Sequence, residues 1–184
     1  MPSAACGSSS SPPAAWRRAA VQRAGSGAAT ISTPGGSTAL ADAPSFVDTN
    51  VFVYAVDVSE PRKRQQALAL LRGAPAGGLV TSAQVLGEFF VAATRALRQP
   101  LSLERASREV ERIAPLARIA IDRKLVSEAL LLCAETSISY WDALIVRAAV
   151  TLGCDRLITE DLTAGQLIGG VLVVNPFDSP SEPE

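Results

Sequence analysis

Four acidic side chains follow or flank short apolar segments that a parallel sheet could bring to one edge. They are Asp48, Glu88, Asp142 and Asp161. Because the chain contains no histidine, a hydrolytic metal site built from them would use oxygen ligands and a hard cation such as Mg²⁺ or Mn²⁺. Such ions activate water and neutralise charge on phosphate. The predicted chemistry is therefore metal-dependent phosphodiester cleavage.

Each acid also has an ordinary structural explanation. Asp48 is a favoured N-cap for a helix that follows it, and Asp161 could cap a turn. Glu88 lies at the edge of an apolar helical face, where glutamates are commonly solvated. Ser139 and Asp142 fit a capping box, and the apolar residues around them predict a buried helix start. Convergence of all four without a cation would be unfavourable, because close carboxylates repel and raise one another's pKa.

Composition limits the class of protein. The 184 residues are 48% hydrophobic, enough for one well-packed domain. A formal charge of −1 excludes broad electrostatic adhesion to nucleic acid, so such contacts would need a local basic patch. Cys6, Cys133 and Cys154 lack metal-ligand spacing and predict free thiols in a reducing compartment. No apolar run approaches the roughly 20 residues that span a bilayer. We expect a soluble cytoplasmic protein without a membrane segment.

Three regions are predicted along the chain. Residues 1–43 are dominated by Ala, Ser, Gly and Pro, which predicts a disordered extension. Its arginines and scarcity of acids also fit a transit peptide. An upstream start codon assigned in a GC-rich gene is the interpretation we favour. Residues 44–178 form the predicted domain, and residues 179–184 a flexible tail.

Strand and helix patterns alternate within the domain. Apolar segments predict five strands, at residues 45–47, 79–81, 117–121, 156–159 and 171–174. Helical segments separate them, several opening at an N-cap such as Ser82, Asp122 or Ser139. This alternation predicts an α/β fold, a three-layer α/β/α sandwich with a mostly parallel five-stranded sheet. Ligands of such sheets bind beyond the carboxyl ends of the strands.

The segments that carry the acids resemble the ordered acidic motifs of PIN domains, in particular those of VapC-type toxins from bacterial toxin–antitoxin pairs. They are Ser-Phe-Val-Asp-Thr-Asn at 45–50, Glu88, Tyr-Trp-Asp-Ala-Leu-Ile at 140–145 and Leu-Ile-Thr-Glu-Asp-Leu at 157–162. Residues 165–166 and 173–177 are also similar to that branch. The resemblance extends from residue 45 to about residue 177.

The resemblance implies a PIN-like nuclease fold and a Mg²⁺- or Mn²⁺-dependent endoribonuclease. Its catalytic and metal-binding acids would be Asp48, Glu88, Asp142 and Asp161. It favours Asp161 over the adjacent Glu160 as the inward-facing acid. Supporting polar residues would be Thr49, Asn50 and Thr159.

Several partners are also implied by the resemblance: an RNA substrate, a cognate antitoxin that blocks the acidic cleft, and a second copy in a homodimer. RNA could be positioned by basic residues, either those at 62–64 or Arg95, Arg98, Arg105 and Arg108. The alternative is that these arginines and lysines form solvated helix faces.

Four other functions are alternatives to a toxin nuclease. A haloacid dehalogenase-type phosphatase needs a second acid two residues after Asp48, and that position is Asn50. A response-regulator receiver needs an early acidic pair that the apolar strands do not supply. A housekeeping RNA-processing nuclease and a non-catalytic protein-binding module on the same fold stay open, as do the RNA target and the number of metal ions.

Overall fold

The computed structural model of the protein describes residues 43–178. The extension predicted at residues 1–43, apart from Ala43, and the tail predicted at residues 179–184 lie outside the described residues.

The domain is built on a six-stranded sheet with the order β3-β2-β1-β4-β6-β5. The strands are β1 (Ser45–Val47), β2 (Leu79–Ser82), β3 (Ala117–Ile119), β4 (Arg156–Ile158), β5 (Leu167–Ile168) and β6 (Val171–Val174). All neighbouring pairs are parallel except β5 and β6. The predicted mostly parallel α/β fold is confirmed.

The prediction of five strands was wrong by one. Strand β5 has only two residues and pairs antiparallel with β6, with Leu167 opposite Leu172 and Ile168 opposite Val171. Gly169 and Gly170 form the connection at φ of +59° and +89°, a conformation that favours glycine. A two-residue strand is too short to produce a detectable alternation of apolar and polar residues.

Six α-helices connect the strands. They are α1 (Thr49–Val56), α2 (Pro61–Gly73), α3 (Ala83–Arg95), α4 (Leu103–Ile113), α5 (Arg123–Glu135) and α6 (Tyr140–Thr151). The predicted N-caps of α3, α5 and α6 each accept a backbone hydrogen bond through the side chain. Within residues 43–178, no single helix is long and apolar enough to cross a membrane.

Both faces of the central strands are covered. Phe46, Val47 and all four residues of β2 are buried, which requires helices on each side of the sheet. Helix α1 packs with α2 and α3, whereas α6 packs with α5 and against β2, β4 and β6. This arrangement fixes the carboxyl ends of β1, β2 and β4 along one edge.

Candidate active site

The four predicted acids line one cavity at the carboxyl edge of the sheet. Its volume is about 500 Å³. The structure thus brings together side chains from β1–α1, from α3, from α6 and from the segment after β4. The other residues lining the cavity are Thr49, Asn50, Val53, Tyr54, Asp57, Ala92, Ala96, Leu97, Trp141 and Ile145.

Asp48 is the most enclosed of the four, with only 4% of its surface exposed. It is also the N-cap of α1, accepting from the backbone N–H of Thr49 at 2.5 Å. The side chain that caps α1 is therefore also one of the four predicted site acids. Burial raises the pKa of Asp48 to about 6; the hydrogen bonds from Thr159 and Thr49 oppose this shift, and the charges of Asp161 and Glu88 add to it.

The hydroxyl of Thr159 links the two central segments of the site. In the paired strands β1 and β4, Val47 lies opposite Ile158. Asp48 directly follows β1 and Thr159 directly follows β4, so the two residues leave the sheet side by side. Thr159 Oγ1 donates to Asp48 Oδ2 at 2.6 Å and accepts from the backbone N–H of Asp161 at 3.1 Å. Thr159 is 1% exposed, so this contact is shielded from water.

The amide of Asn50 lies between two carboxylates. Asn50 Nδ2 is 3.3 Å from Asp48 Oδ2 and 3.1 Å from Asp161 Oδ2, and it also donates to Thr159 Oγ1 at 2.9 Å. The amide N–H groups thereby offset part of the repulsion between the acids. Asn50 Oδ1 is buried and has no hydrogen-bond partner among the described residues.

Glu88 is half-buried and is held by two polar neighbours. Thr49 Oγ1 donates to Glu88 Oε2 at 2.7 Å, and Gln84 Nε2 donates to Glu88 Oε1 at 2.8 Å. Gln84 was not among the predicted site residues. Its position four residues before Glu88 on the same helix was the signal that could have found it.

Asp142 differs from its prediction. The start of α6 is not buried: Trp141 is 57% exposed, and Asp142 is half-buried. The capping interpretation holds as well, because Ser139 Oγ accepts from the backbone N–H of Asp142 at 3.2 Å and donates to its Oδ2 at 2.6 Å. The fully buried residues of α6 begin only at Ala143, while Tyr140 is half-buried against the core.

Asp161 and Glu160 point to different neighbours. Asp161 lines the acidic cavity, whereas Glu160 pairs with Lys63 of α2 at 2.5 Å and accepts from the hydroxyl of Tyr54. Lys63 Nζ also lies 4.3 Å from the centroid of the Tyr54 ring. No sequence pattern linked these three residues, since they come from three separate elements.

The basic residues predicted near the cleft rim do not line the acidic cavity itself. Within the part of the chain that the structure describes, no lysine or arginine lines the acidic cavity. Arg64 and Arg105 line a separate cavity of about 440 Å³ beside α2 and α4. Lys63 pairs with Glu160, and Arg108 with Glu104. The other three, Arg62, Arg95 and Arg98, are exposed.

The side chains fit a hard cation by chemical type. All candidate ligands are oxygens, and the buried Asn50 Oδ1 lacks a partner. Burial, and to a smaller extent the charges of Asp161 and Glu88, raise the pKa of Asp48, and a bound cation would favour its ionised form. Among residues 43–178, however, no three acidic or cysteine side chains are close enough to ligate one ion together. A cation bound in this geometry would therefore contact fewer than three of these acids directly, with water completing its coordination.

A comparison with family models gives a match to the PIN domain over residues 45–165. The chain belongs to the PIN domain family. PIN domains are nucleases, and they generally depend on divalent metal ions. All four predicted acids lie within the matched residues of this PIN domain.

Solved structures show the same fold. A toxin–antitoxin complex from Klebsiella pneumoniae is 21% identical with a TM-score of 0.53, over 72% of this chain and 97% of that one. VapBC-1 of nontypeable Haemophilus influenzae is 18% identical, with a TM-score of 0.52 over 73% and 98%. VapC20 of Mycobacterium tuberculosis, a toxin that cleaves the sarcin–ricin loop, is 22% identical with a TM-score of 0.50 over 61% and 86%. No curated protein sequence is significantly similar to the chain.

Proposed function

We propose that this PIN domain is a Mg²⁺- or Mn²⁺-dependent endoribonuclease and the toxin of a toxin–antitoxin pair. One observation supports the nuclease part most directly. Carboxylates from four separate segments line a single cavity at the carboxyl edge of the sheet, where ligands of open α/β sheets bind.

In this proposal Asp48, Glu88, Asp142 and Asp161 hold the metal, directly or through its bound waters. The bound cation supplies Lewis acidity and a water of lowered pKa for attack on phosphorus. Thr159 orients Asp48, and Thr49 orients Glu88. The half-buried Asp142 and exposed Asp161 face the side from which RNA would enter.

The toxin part of the proposal rests on the similar structures. The structure from Klebsiella pneumoniae is a toxin–antitoxin complex. By that likeness we propose a small antitoxin protein that covers the acidic cavity, and a homodimer in solution. A housekeeping RNA-processing nuclease would use the same acids without an antitoxin.

The test compares the wild type with Asp48→Asn on a structured RNA pool, with Mg²⁺, Mn²⁺ or EDTA. Asp122→Asn is the matched control, because it makes the same chemical change at a helix cap outside the cavity. We expect metal-dependent cleavage that falls roughly a hundredfold or more in Asp48→Asn, as for the loss of other key polar groups in active sites. Equal metal binding with no cleavage by either protein would favour the non-catalytic binding module.

A growth assay separates a toxin from a housekeeping enzyme. Induced wild type should arrest growth, Asp48→Asn should not, and co-expression of the protein from a small reading frame directly upstream should restore growth. Cleavage in vitro without growth arrest would support the housekeeping function.

A further inference from the structure

Trp141 is an exposed aromatic residue beside the acidic cavity. It is 57% exposed, whereas the five phenylalanines and two tyrosines of the chain are all buried or half-buried. Trp141 is one of the residues that line the cavity, next to Asp142. An indole left in water at the mouth of a site is an apolar surface available to a ligand.

The backbone under this indole is held in place. Residue 141 lies in the first turn of α6, which Ser139 caps, and Gln84 Nε2 donates to the Trp141 carbonyl at 3.3 Å. The ring of Tyr140 meets the indole edge to face, with centroids 5.2 Å apart and planes at 66°. A side chain positioned in this way loses little conformational entropy when a ligand binds.

The charges around the cavity limit which part of a nucleotide Trp141 can hold. Five carboxylates line the cavity, the four predicted acids and Asp57, and within residues 43–178 no basic side chain does. A phosphate is therefore repelled except where a cation screens it. A nucleobase carries no such charge, and each base has a π-face that stacks on an aromatic ring.

We propose that the Trp141 indole is a stacking platform for an unpaired nucleobase adjacent to the scissile phosphate. This proposal rests on the nuclease function and narrows its substrate to single-stranded or looped RNA, because bases inside an A-form duplex cannot be reached for stacking. Asp142, the next residue, would then contact the metal on the phosphate side.

Steady-state cleavage of a single-stranded RNA tests the platform. Trp141→Ala should raise KM roughly tenfold, within the range for one lost base–aromatic stack, and should change kcat less than about twofold. Trp141→Phe keeps a ring and should remain within about threefold of the wild-type KM. Leu131→Ala, a 64% exposed apolar residue outside the cavity, should match the wild type.

Fluorescence supplies a reading that does not depend on cleavage. Trp16 is the only other tryptophan, so Trp16→Phe leaves Trp141 as the single indole of the full chain. Stopped-flow mixing with Mg²⁺ and a single-stranded oligoribonucleotide should quench its emission before cleavage occurs. The same sequence as a duplex should quench it much less.

The outcomes separate this proposal from the nuclease function. If the wild type cleaves RNA but KM is unchanged in Trp141→Ala, or single strand and duplex quench equally, the platform is wrong and the nuclease stands. Quenching selective for single strands without any cleavage would support base stacking on Trp141 but would overturn the nuclease, and with it the place of the base beside a scissile phosphate. If only a protein partner changes the emission, Trp141 belongs to a protein interface and the platform is rejected.

Discussion

Thr159 Oγ1 donates a hydrogen bond of 2.6 Å to Oδ2 of Asp48, across 111 residues of sequence. Both side chains are nearly inaccessible to solvent, so water cannot replace the donor if it is lost. This hydroxyl both orients the central carboxylate and opposes the rise in its pKa that burial causes.

Removal of the hydroxyl should weaken both the fold and the site. Thr159→Val keeps the shape of the side chain but leaves a buried carboxylate oxygen short of a donor, at a cost of about 1–3 kcal/mol in the free energy of unfolding. Mn²⁺ affinity, measured by isothermal titration calorimetry, should fall as well. Thr159→Ser retains the hydroxyl and should recover most of both losses; a serine variant as weak as the valine variant would contradict this role.

The stability of the metal-free protein should fall as the pH rises from about 4 to above 6. The folded state keeps a proton on Asp48 up to about pH 6, whereas the ordinary pKa of an aspartate side chain is 3.8. The native state therefore binds more protons in this window, and ΔG of unfolding decreases with pH. The loss is roughly 3 kcal/mol for a shift of this size.

Urea denaturation in EDTA at a series of pH values measures this change. Asp48→Asn should remove most of the decline, and Mg²⁺ added at pH 7.5 should restore stability in the wild type, because a bound cation favours the ionised carboxylate. A pH profile that is the same in the wild type and in Asp48→Asn would rule out Asp48 as its source.

The pair of Lys63 and Glu160 should affect activity through Asp161. Glu160 is held by Lys63 and Tyr54, and the next residue carries the acid of the site. Lys63→Met should free this segment and reduce both Mn²⁺ affinity and kcat/KM several-fold, while Lys63→Arg should retain most of each. Arg108→Met removes an exposed pair with Glu104 and should leave both unchanged; an equal effect in the two methionine variants would refute the link to Asp161.

The four acids should not contribute equally. Asp48 is buried and central, whereas Asp142 lies at the exposed rim with Ser139 on one of its oxygens. The kcat/KM of Asp142→Asn should therefore be at least about tenfold higher than that of Asp48→Asn. Single-turnover cleavage with saturating Mg²⁺ compares them, and the opposite order would mean that Asp142 is the principal ligand.

The position of Asp48 could be predicted because it directly follows a strongly apolar strand. In a parallel sheet that placement fixes the edge at which a side chain lies. Thr159, by contrast, was indicated only by the resemblance and was placed inside the predicted strand 156–159, which ends at Ile158. The predicted strand bounds also lie close to the observed ones. The main difference is in β3, which was predicted to include Ala120 and Ile121 but ends at Ile119.

The parts of the site that escaped prediction depend on how helices pack rather than on any local pattern. The exposure of Trp141 could not be inferred from an apolar run, because such a run does not show which turn of the helix reaches the core. Contacts between Tyr54, Lys63 and Glu160 likewise require the relative placement of α1, α2 and the segment after β4. Sequence spacing of 97 and 106 residues carries no information on such contacts.

The placement of β4 between β1 and β6 has a consequence during synthesis. A nascent chain that has already folded α1 and α3 carries Asp48 and Glu88 but lacks the strand that supplies Thr159 and Asp161. One edge of β1 is then unpaired, and the central carboxylate has no hydroxyl to orient it. If the proposed nuclease function holds, a ribosome-bound fragment that ends before residue 156 is therefore expected to leave RNA uncut, because β4, Thr159 and Asp161 have not yet been synthesised.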